Sequence, residues 1–220
     1  MLQISEIYKA ICGESRHNGR PCTLVRLTGC HLRCVWCDTA HAFGGGESLG
    51  VADVVARVRA NGLATVLVTG GEPLLQRETL ALLADLLADG RRVLLETSGT
   101  LLGPRAATLA EVPRGVCRIV DVKAPGSGIA AGRIDWAGIA ELDGGDELKI
   151  VCADRRDYAW ARDLIRGGER LPAGVPISLS AVHGRLEPRD LAAWLLDDAL
   201  DVFFQVQLHK VVWPEVERGV

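Results

Sequence analysis

The sequence predicts an α/β chain folded as an incomplete TIM-like barrel of about six parallel βα units. Three observations carry the prediction. Short β-branched and apolar runs alternate with longer segments of helical period, the pattern of strands joined by crossover helices. The chain has 220 residues, fewer than the ~250 that a closed eight-unit barrel typically needs. Polar, glycine-containing stretches recur just after the apolar runs, where parallel βα folds place their ligands.

In chain order, residues 1–19 read as an N-terminal strand or hairpin extension of one domain spanning 1–220. Strands are expected at 22–28, 64–69, 92–97, 117–122, 147–152 and 176–180, with 202–206 as a seventh candidate. Gly44, Gly45 and Gly46 precede the first long helix and read as a flexible connector, since no Gly-Lys-Ser/Thr follows to make a phosphate cradle. A helix over 75–88 sets Leu75, Leu82, Leu83, Leu86 and Leu87 largely on one face, and Gly90 stops it. Tyr158, Ala161, Leu164 and Ile165 form a second stripe. Pro188 opens a later helix that turns Leu191, Trp194 and Leu195 inward.

Composition sets the broad class. With 48% hydrophobic and 24% charged residues the chain can bury a substantial core. Its net charge of -3 supplies no global positive field, so no nucleic-acid partner is expected. The first residues lack a secretory signal pattern and no apolar run is long enough to span a bilayer, so a cytoplasmic protein with no membrane partner is expected. Seven cysteines, with three clustered, do not suit a disulfide framework, and a reducing compartment would keep them available as thiolates.

The cluster is Cys30, Cys34 and Cys37, in Gly-Cys-His-Leu-Arg-Cys-Val-Trp-Cys-Asp-Thr. Three thiolates in one loop can anchor three irons of a cubane 4Fe-4S cluster and leave the fourth iron open to a small molecule. The alternative is structural zinc, with His31 or His41 as fourth ligand. Cys12, Cys22, Cys117 and Cys152 are isolated and read as small apolar core residues.

The segments after the expected strands are polar. After the second comes Thr69-Gly70-Gly71-Glu72-Pro73, whose glycines admit close backbone approach and whose carboxylate can bind an ammonium group. After the third comes Glu96-Thr97-Ser98-Gly99-Thr100, after the fourth Asp121-Val122-Lys123, and after the sixth Ser180-Ala181-Val182-His183. Gln207-Leu208-His209-Lys210 follows the last apolar run. A Gly-Gly pair by itself is as compatible with a plain turn.

Cys-x3-Cys-x2-Cys with Trp36 before the third cysteine, followed after a strand by Gly-Gly-Glu-Pro, resembles the radical S-adenosylmethionine superfamily. Within it, Gly13-Glu14, Arg26, Cys37-Asp38-Thr39, the 69–76 and 96–100 segments, Glu147-Leu148-Lys149 and Gln207-Leu208-His209-Lys210 resemble the 7-carboxy-7-deazaguanine synthase family. The resemblance spans nearly the whole chain. It implies a radical SAM core holding a 4Fe-4S cluster, S-adenosylmethionine and Mg2+. The reaction it implies is reductive cleavage of S-adenosylmethionine and conversion of 6-carboxy-5,6,7,8-tetrahydropterin to 7-carboxy-7-deazaguanine with loss of ammonia, in queuosine and 7-deazapurine biosynthesis.

Carried onto this sequence, the resemblance implies that Cys30, Cys34 and Cys37 hold the cluster and Thr39 meets magnesium. S-adenosylmethionine would contact Trp36, Cys37, Asp38, Gly71, Glu72, Asp121, Val122, Lys123 and the run Ser180, Ala181, Val182, His183. The pterin would lie against Ile11, Cys12, Gly13, Glu14, Arg26, Thr69, Glu96, Gln207 and His209. A homodimer and an electron donor such as flavodoxin or ferredoxin are implied as well. Asp38 and Thr39 also fit simple loop capping, and His209 or Glu96 could satisfy buried backbone groups. This chain departs from the family at Cys12-Gly13-Glu14-Ser15, where Gln-Gly-Glu-Gly is common, and at Asp121-Val122-Lys123. The rival readings are a glycyl-radical-enzyme activating enzyme and a zinc-binding or electron-transfer module.

Overall fold

A computed structural model describes residues 1–216, 218 and 219. Its strands are β1 (Leu2–Ile11), β2 (Pro21–Leu27), β3 (Glu47–Leu49), β4 (Thr65–Gly70), β5 (Arg92–Thr97), β6 (Cys117–Asp121), β7 (Glu147–Cys152), β8 (Ile177–Ala181) and β9 (Phe203–Gln205). Its helices are α1 (Val51–Asn61), α2 (Thr79–Ala88), α3 (Trp136–Ala140), α4 (Arg155–Gly167), α5 (Pro188–Asp197) and α6 (Leu208–Val212). The strands form one sheet in the order β3-β1-β2-β4-β5-β6-β7-β8-β9. From β2 through β9 neighbours pair in parallel, while β1 pairs antiparallel with β2 and with β3. The sheet stays open, with β3 and β9 at its ends, so the fold is a partial TIM-like barrel.

Period-two alternation explains why the strands read as continuous apolar runs. Val25, Val66, Val68, Leu95, Val120 and Ile150 belong to the large core that includes helix residues Val54, Leu82, Leu83, Tyr158 and Leu191. Their sequence neighbours Leu24, Leu67, Leu94 and Ile119 join Cys12 and Cys22 in a smaller cluster. Both faces are therefore apolar, as parallel sheets require. Two residues beyond Leu24, Leu67, Leu94 and Ile119, on the same face, stand Arg26, Thr69, Glu96 and Asp121. The register sets Arg26 beside Thr69 and Asp121 beside Lys149. The inner face thus changes from apolar to charged toward the carboxyl ends of the strands.

A loop, not further strands, bridges the open side. Gly13 O, just after β1, accepts from Leu208 N–H at 2.9 Å, and Glu147 Oε2 accepts from Arg16 N–H at 2.8 Å.

Several expectations need correction. The helix expected over 75–88 begins at Thr79. Before it, Pro73–Leu75 form a 3-10 turn capped by the Glu72 carboxylate, which draws Leu75 out of the stripe. The β5–β6 connection contains only a short 3-10 turn, Leu109–Glu111. The Gly44 to Gly46 segment does not act as a loose connector at its far end. Gly46 has φ +90° and packs so closely on Ile4 O and Thr28 Oγ1 that a Cβ would lie 2.4 Å from the first. That contact leads into β3, an unforeseen strand that pairs Leu49 with Leu2.

Candidate active site

The three cysteines lie in the loop that leaves β2. Gly29, at φ +98°, turns the chain, and its N–H donates to Ala42 O at 2.7 Å. Val35 N–H donates to Ser127 O at 3.0 Å, and the Arg33 guanidinium lies 4.1 Å from the Phe43 ring centre. Cys30, Cys34 and Cys37 are half-buried and line one cavity of about 510 Å³. Burial pushes the Cys30 and Cys34 thiols up, so loading metal there releases protons. Both histidines offered as a zinc ligand are engaged elsewhere: His31 Nε2 lies 2.7 Å from Thr100 Oγ1, and His41 Nε2 lies 3.3 Å from Glu6 Oε1. All three cysteines line this cavity, and as three ligands they would leave one iron of a 4Fe-4S cluster open.

The Gly-Gly turn after β4 is pressed against this loop. Gly71 N–H donates to Leu27 O at 3.1 Å, and Glu72 N–H donates to Gly29 O at 2.8 Å. A Cβ on Gly71 would stand 2.3 Å from Gly29 O and 2.7 Å from Cys30 Cβ, so only glycine fits. Glu72 itself is fully buried and points away from the cavity. Its Oε1 accepts from Leu74 N–H at 3.0 Å and the Thr97 hydroxyl at 2.8 Å. Its Oε2 accepts from Ser98 N–H at 2.8 Å and the Ser98 hydroxyl at 2.6 Å. Four donors saturate a carboxylate. Glu72 therefore braces the turn instead of reaching a cofactor, and the cavity receives backbone from Gly70 and Gly71.

The remaining expected residues divide by strand geometry. Trp36, Cys37, Asp38, Thr39, Asp121, Lys123, Val182 and His183 line the cavity. Val122, Ser180 and Ala181 do not, because alternation turns Val122 and Ala181 into the large core, while Ser180 is 3% exposed beneath the rim. Of the residues expected against the substrate, Ile11, Gly13, Glu14, Arg26, Thr69, Glu96, Gln207 and His209 share the same walls. Cys12 does not, being packed with Cys22 in the small apolar cluster.

Charge on the cavity floor is organised by Lys149, which sequence reasoning did not place in the site. Its ammonium donates to Glu14 Oε2 and lies 3.8 Å from Glu96 Oε1 and 3.9 Å from Asp121 Oδ2. Burial works against the Glu14 anion, but Lys149 and the Gln207 amide, 2.7 Å away, outweigh it and hold its carboxyl at about 2. Burial, reinforced by the Glu14 charge, pushes Glu96 up despite Lys149. Burial would lower Lys149, yet its three carboxylates hold it well above an ordinary lysine. Burial also pushes His209 down, so its ring is neutral near pH 7. It packs on Gly13, whose Cβ would overlap it at 2.1 Å.

The Radical SAM superfamily profile matches residues 24–122, the span from β2 to the end of β6. The chain is 41% identical over 235 residues to a 7-carboxy-7-deazaguanine synthase of Koribacter versatilis, covering all of both chains. It is 42% identical over 221 residues to the synthase of Chlorobaculum tepidum, covering 100% of this chain and 97% of that one. The chain belongs to the 7-carboxy-7-deazaguanine synthase family. Among solved structures, QueE from Escherichia coli superposes with TM-score 0.69 over 93% of this chain and 94% of its own, at 22% identity. Streptococcus suis SuiB, at 13% identity, matches with TM-score 0.55 over 84% of this chain and 47% of its own. These likenesses concern the fold.

Glu6 and Tyr8, which the sequence did not single out, and His41, considered there only for zinc, also line the cavity. Arg26 Nε donates to Glu6 Oε1 at 2.6 Å, so β1 holds the guanidinium in place. Only the β1–β2 register, which pairs Glu6 with Arg26, brings them together. Two signals pointed to Lys149: its place in the Glu147-Leu148-Lys149 segment that resembles the family, and its alternation with Leu148 and Ile150.

Proposed function

We propose that the chain is a 7-carboxy-7-deazaguanine synthase, a radical S-adenosylmethionine lyase that converts 6-carboxy-5,6,7,8-tetrahydropterin to 7-carboxy-7-deazaguanine with loss of ammonia. The supporting observation is that the cysteine triad, the Gly-Gly turn and the Glu14–Lys149–Glu96 floor share one cavity in a chain 41% identical, end to end, to such a synthase. Once bound, the 4Fe-4S cluster and S-adenosylmethionine supply a carbon radical that starts the reaction by removing a substrate hydrogen.

Within this reading the protein binds, orients and excludes water over residues 1–220. Cys30, Cys34 and Cys37 hold the cluster, and the Gly71 backbone meets the methionine end of the cofactor. Trp36, with Arg185 5.8 Å from its ring centre, walls the adenine side together with Val182 and His183. The Asp121–Lys123 pair, 2.7 Å apart, stands at the ribose. Arg26 receives the substrate carboxylate, as a guanidinium suits that group. Glu14 and Glu96 accept from the N–H edge of the pterin, and Gln207 and neutral His209 close over it. Thr39, 3.7 Å from Cys37 Sγ, gives magnesium a hydroxyl beside that carboxylate.

The test is anaerobic reconstitution with iron and sulfide, then reduction by chemical reductant, reduced flavodoxin or reduced ferredoxin. A brown protein that forms the deazapurine is expected, and Cys34→Ala should lose both colour and product. A colourless active protein, or a brown reduced protein making no product, defeats the proposal. Because the thiols must stay reduced, the cytoplasm is the proposed compartment; among the described residues no helix is long and apolar enough to cross a membrane.

A further inference from the structure

Glu72 begins a chain of side-chain hydrogen bonds whose direction follows from the donors available. Each of its oxygens takes a backbone N–H, from Leu74 at 3.0 Å and Ser98 at 2.8 Å, and an amide N–H can only donate. The Ser98 hydroxyl uses its single proton on Glu72 Oε2 at 2.6 Å, so toward Thr100 Oγ1, 2.8 Å away, it can only accept. Thr100 must then give its proton to Ser98. Toward His31 Nε2, at 2.7 Å, Thr100 is left as acceptor, which requires the imidazole proton to sit on Nε2. His31 Nδ1 is buried and has no hydrogen-bond partner among the described residues, consistent with a bare nitrogen that donates nothing.

His31 follows Cys30 directly. Among the described residues, the His31–Thr100 bond is the hydrogen bond that ties the stretch 30–34 to another element; Leu32 N–H and the Arg33 guanidinium bond within the loop. The same carboxylate that braces the Gly-Gly turn therefore also reaches the cysteine loop. Taking Cys30 as a cluster ligand, as proposed above, we propose that Thr100 and His31 are positioning residues. The directed chain Glu72–Ser98–Thr100–His31 locks the His31 ring as its Nε2–H tautomer. It thereby holds the cluster loop and the cofactor-facing Gly71 backbone in one fixed relation.

The tautomer is read from 15N spectra of histidine-labelled, reconstituted, oxidised protein, with the His31 signals identified by their loss in His31→Asn. The wild-type ring should carry a proton on Nε2. Thr100→Val removes the acceptor: the ring should then populate both tautomers, and the KM for S-adenosylmethionine cleavage should rise about tenfold while kcat changes less than about twofold. Thr100→Ser, which keeps the hydroxyl, should restore both readouts. A wild-type His31 whose Nε2 is bare overturns the proposal, and so does a Thr100→Val protein that keeps the wild-type ring spectrum and the KM. The wild-type spectrum needs no variant to fold. It also needs no turnover, so absence of deazapurine product would sink the proposed function while the tautomer still decides the chain.

Discussion

At Gly71 even a methyl group has nowhere to go, because Gly29 O would lie 2.3 Å from it and neither backbone can yield. Gly71→Ala should displace the turn from the cysteine loop and weaken cofactor use by roughly 100-fold, as a ~1 Å misplacement can, measured as S-adenosylmethionine cleavage per bound iron. Gly44→Ala, whose Cβ meets nothing within 4 Å, should be silent in the same assay. Lys149 is the other residue whose replacement has wide effect. Glu14 has its folded value held near 2, below the ordinary 4.5, so its stabilisation is complete above pH 4.5 and drains as pH falls toward 2. Lys149→Met should flatten this acid slope in denaturant titrations at pH 6, 4 and 3, destabilise by about 3 to 5 kcal/mol at neutral pH, and raise the pterin KM. An unchanged acid slope would contradict the assignment of Lys149 as the partner of Glu14.

Element by element, how much was readable depended on how local the determinants are. The parallel strands appear within a residue or two of expectation because both of their faces are apolar, and the runs therefore stand out. α4 was equally legible: Tyr158 and Ala161 are fully buried, and Asp154 caps its start, accepting from Arg156 and Asp157 N–H at 2.8 and 3.0 Å. Asp154→Ala should cost about 1 kcal/mol, seen as a lowered Tm with unchanged KM values, since the cap lies outside the cavity. The start of α2 was not legible. Leu75 has the right period for the helix, but the buried Glu72 carboxylate captures Leu74 N–H and Pro73 adds a turn, an effect of tertiary burial on a local boundary. β3 was invisible for a similar reason. Three residues carry too little pattern, and the pairing of Leu49 with Leu2 across 47 positions supplies what the local sequence lacks.

Over the whole molecule, an open sheet leaves an edge at β9, where Phe203 is 54% and Phe204 40% exposed, with Val211 and Val212 of the adjacent α6 also exposed. Unprotected apolar edges favour association, which fits the homodimer that the family resemblance implies. Light scattering should give the mass of two chains, and Phe203→Asp should lower it to one without removing the cluster; a wild-type mass of one chain would rule the dimer out. The chemistry-bearing types were readable from sequence alone. Three closely spaced cysteines, a Gly-Gly-Glu turn and polar segments just after the expected strands declare themselves by spacing, which needs no partner. Which of them face the ligand was decided only by tertiary structure. The family resemblance makes Glu72 and Cys12 contacts, yet one is saturated by four internal donors and the other is packed with Cys22, as its isolated place in the sequence suggested. Lys149 stands in the Glu147-Leu148-Lys149 segment that resembles the family, but it has no site role until Glu14, Glu96 and Asp121 arrive from three other parts of the chain. Spacing is a property of the chain, whereas the saturation of a carboxylate or the sharing of an ammonium depends on groups that only folding brings within a few ångströms of one another.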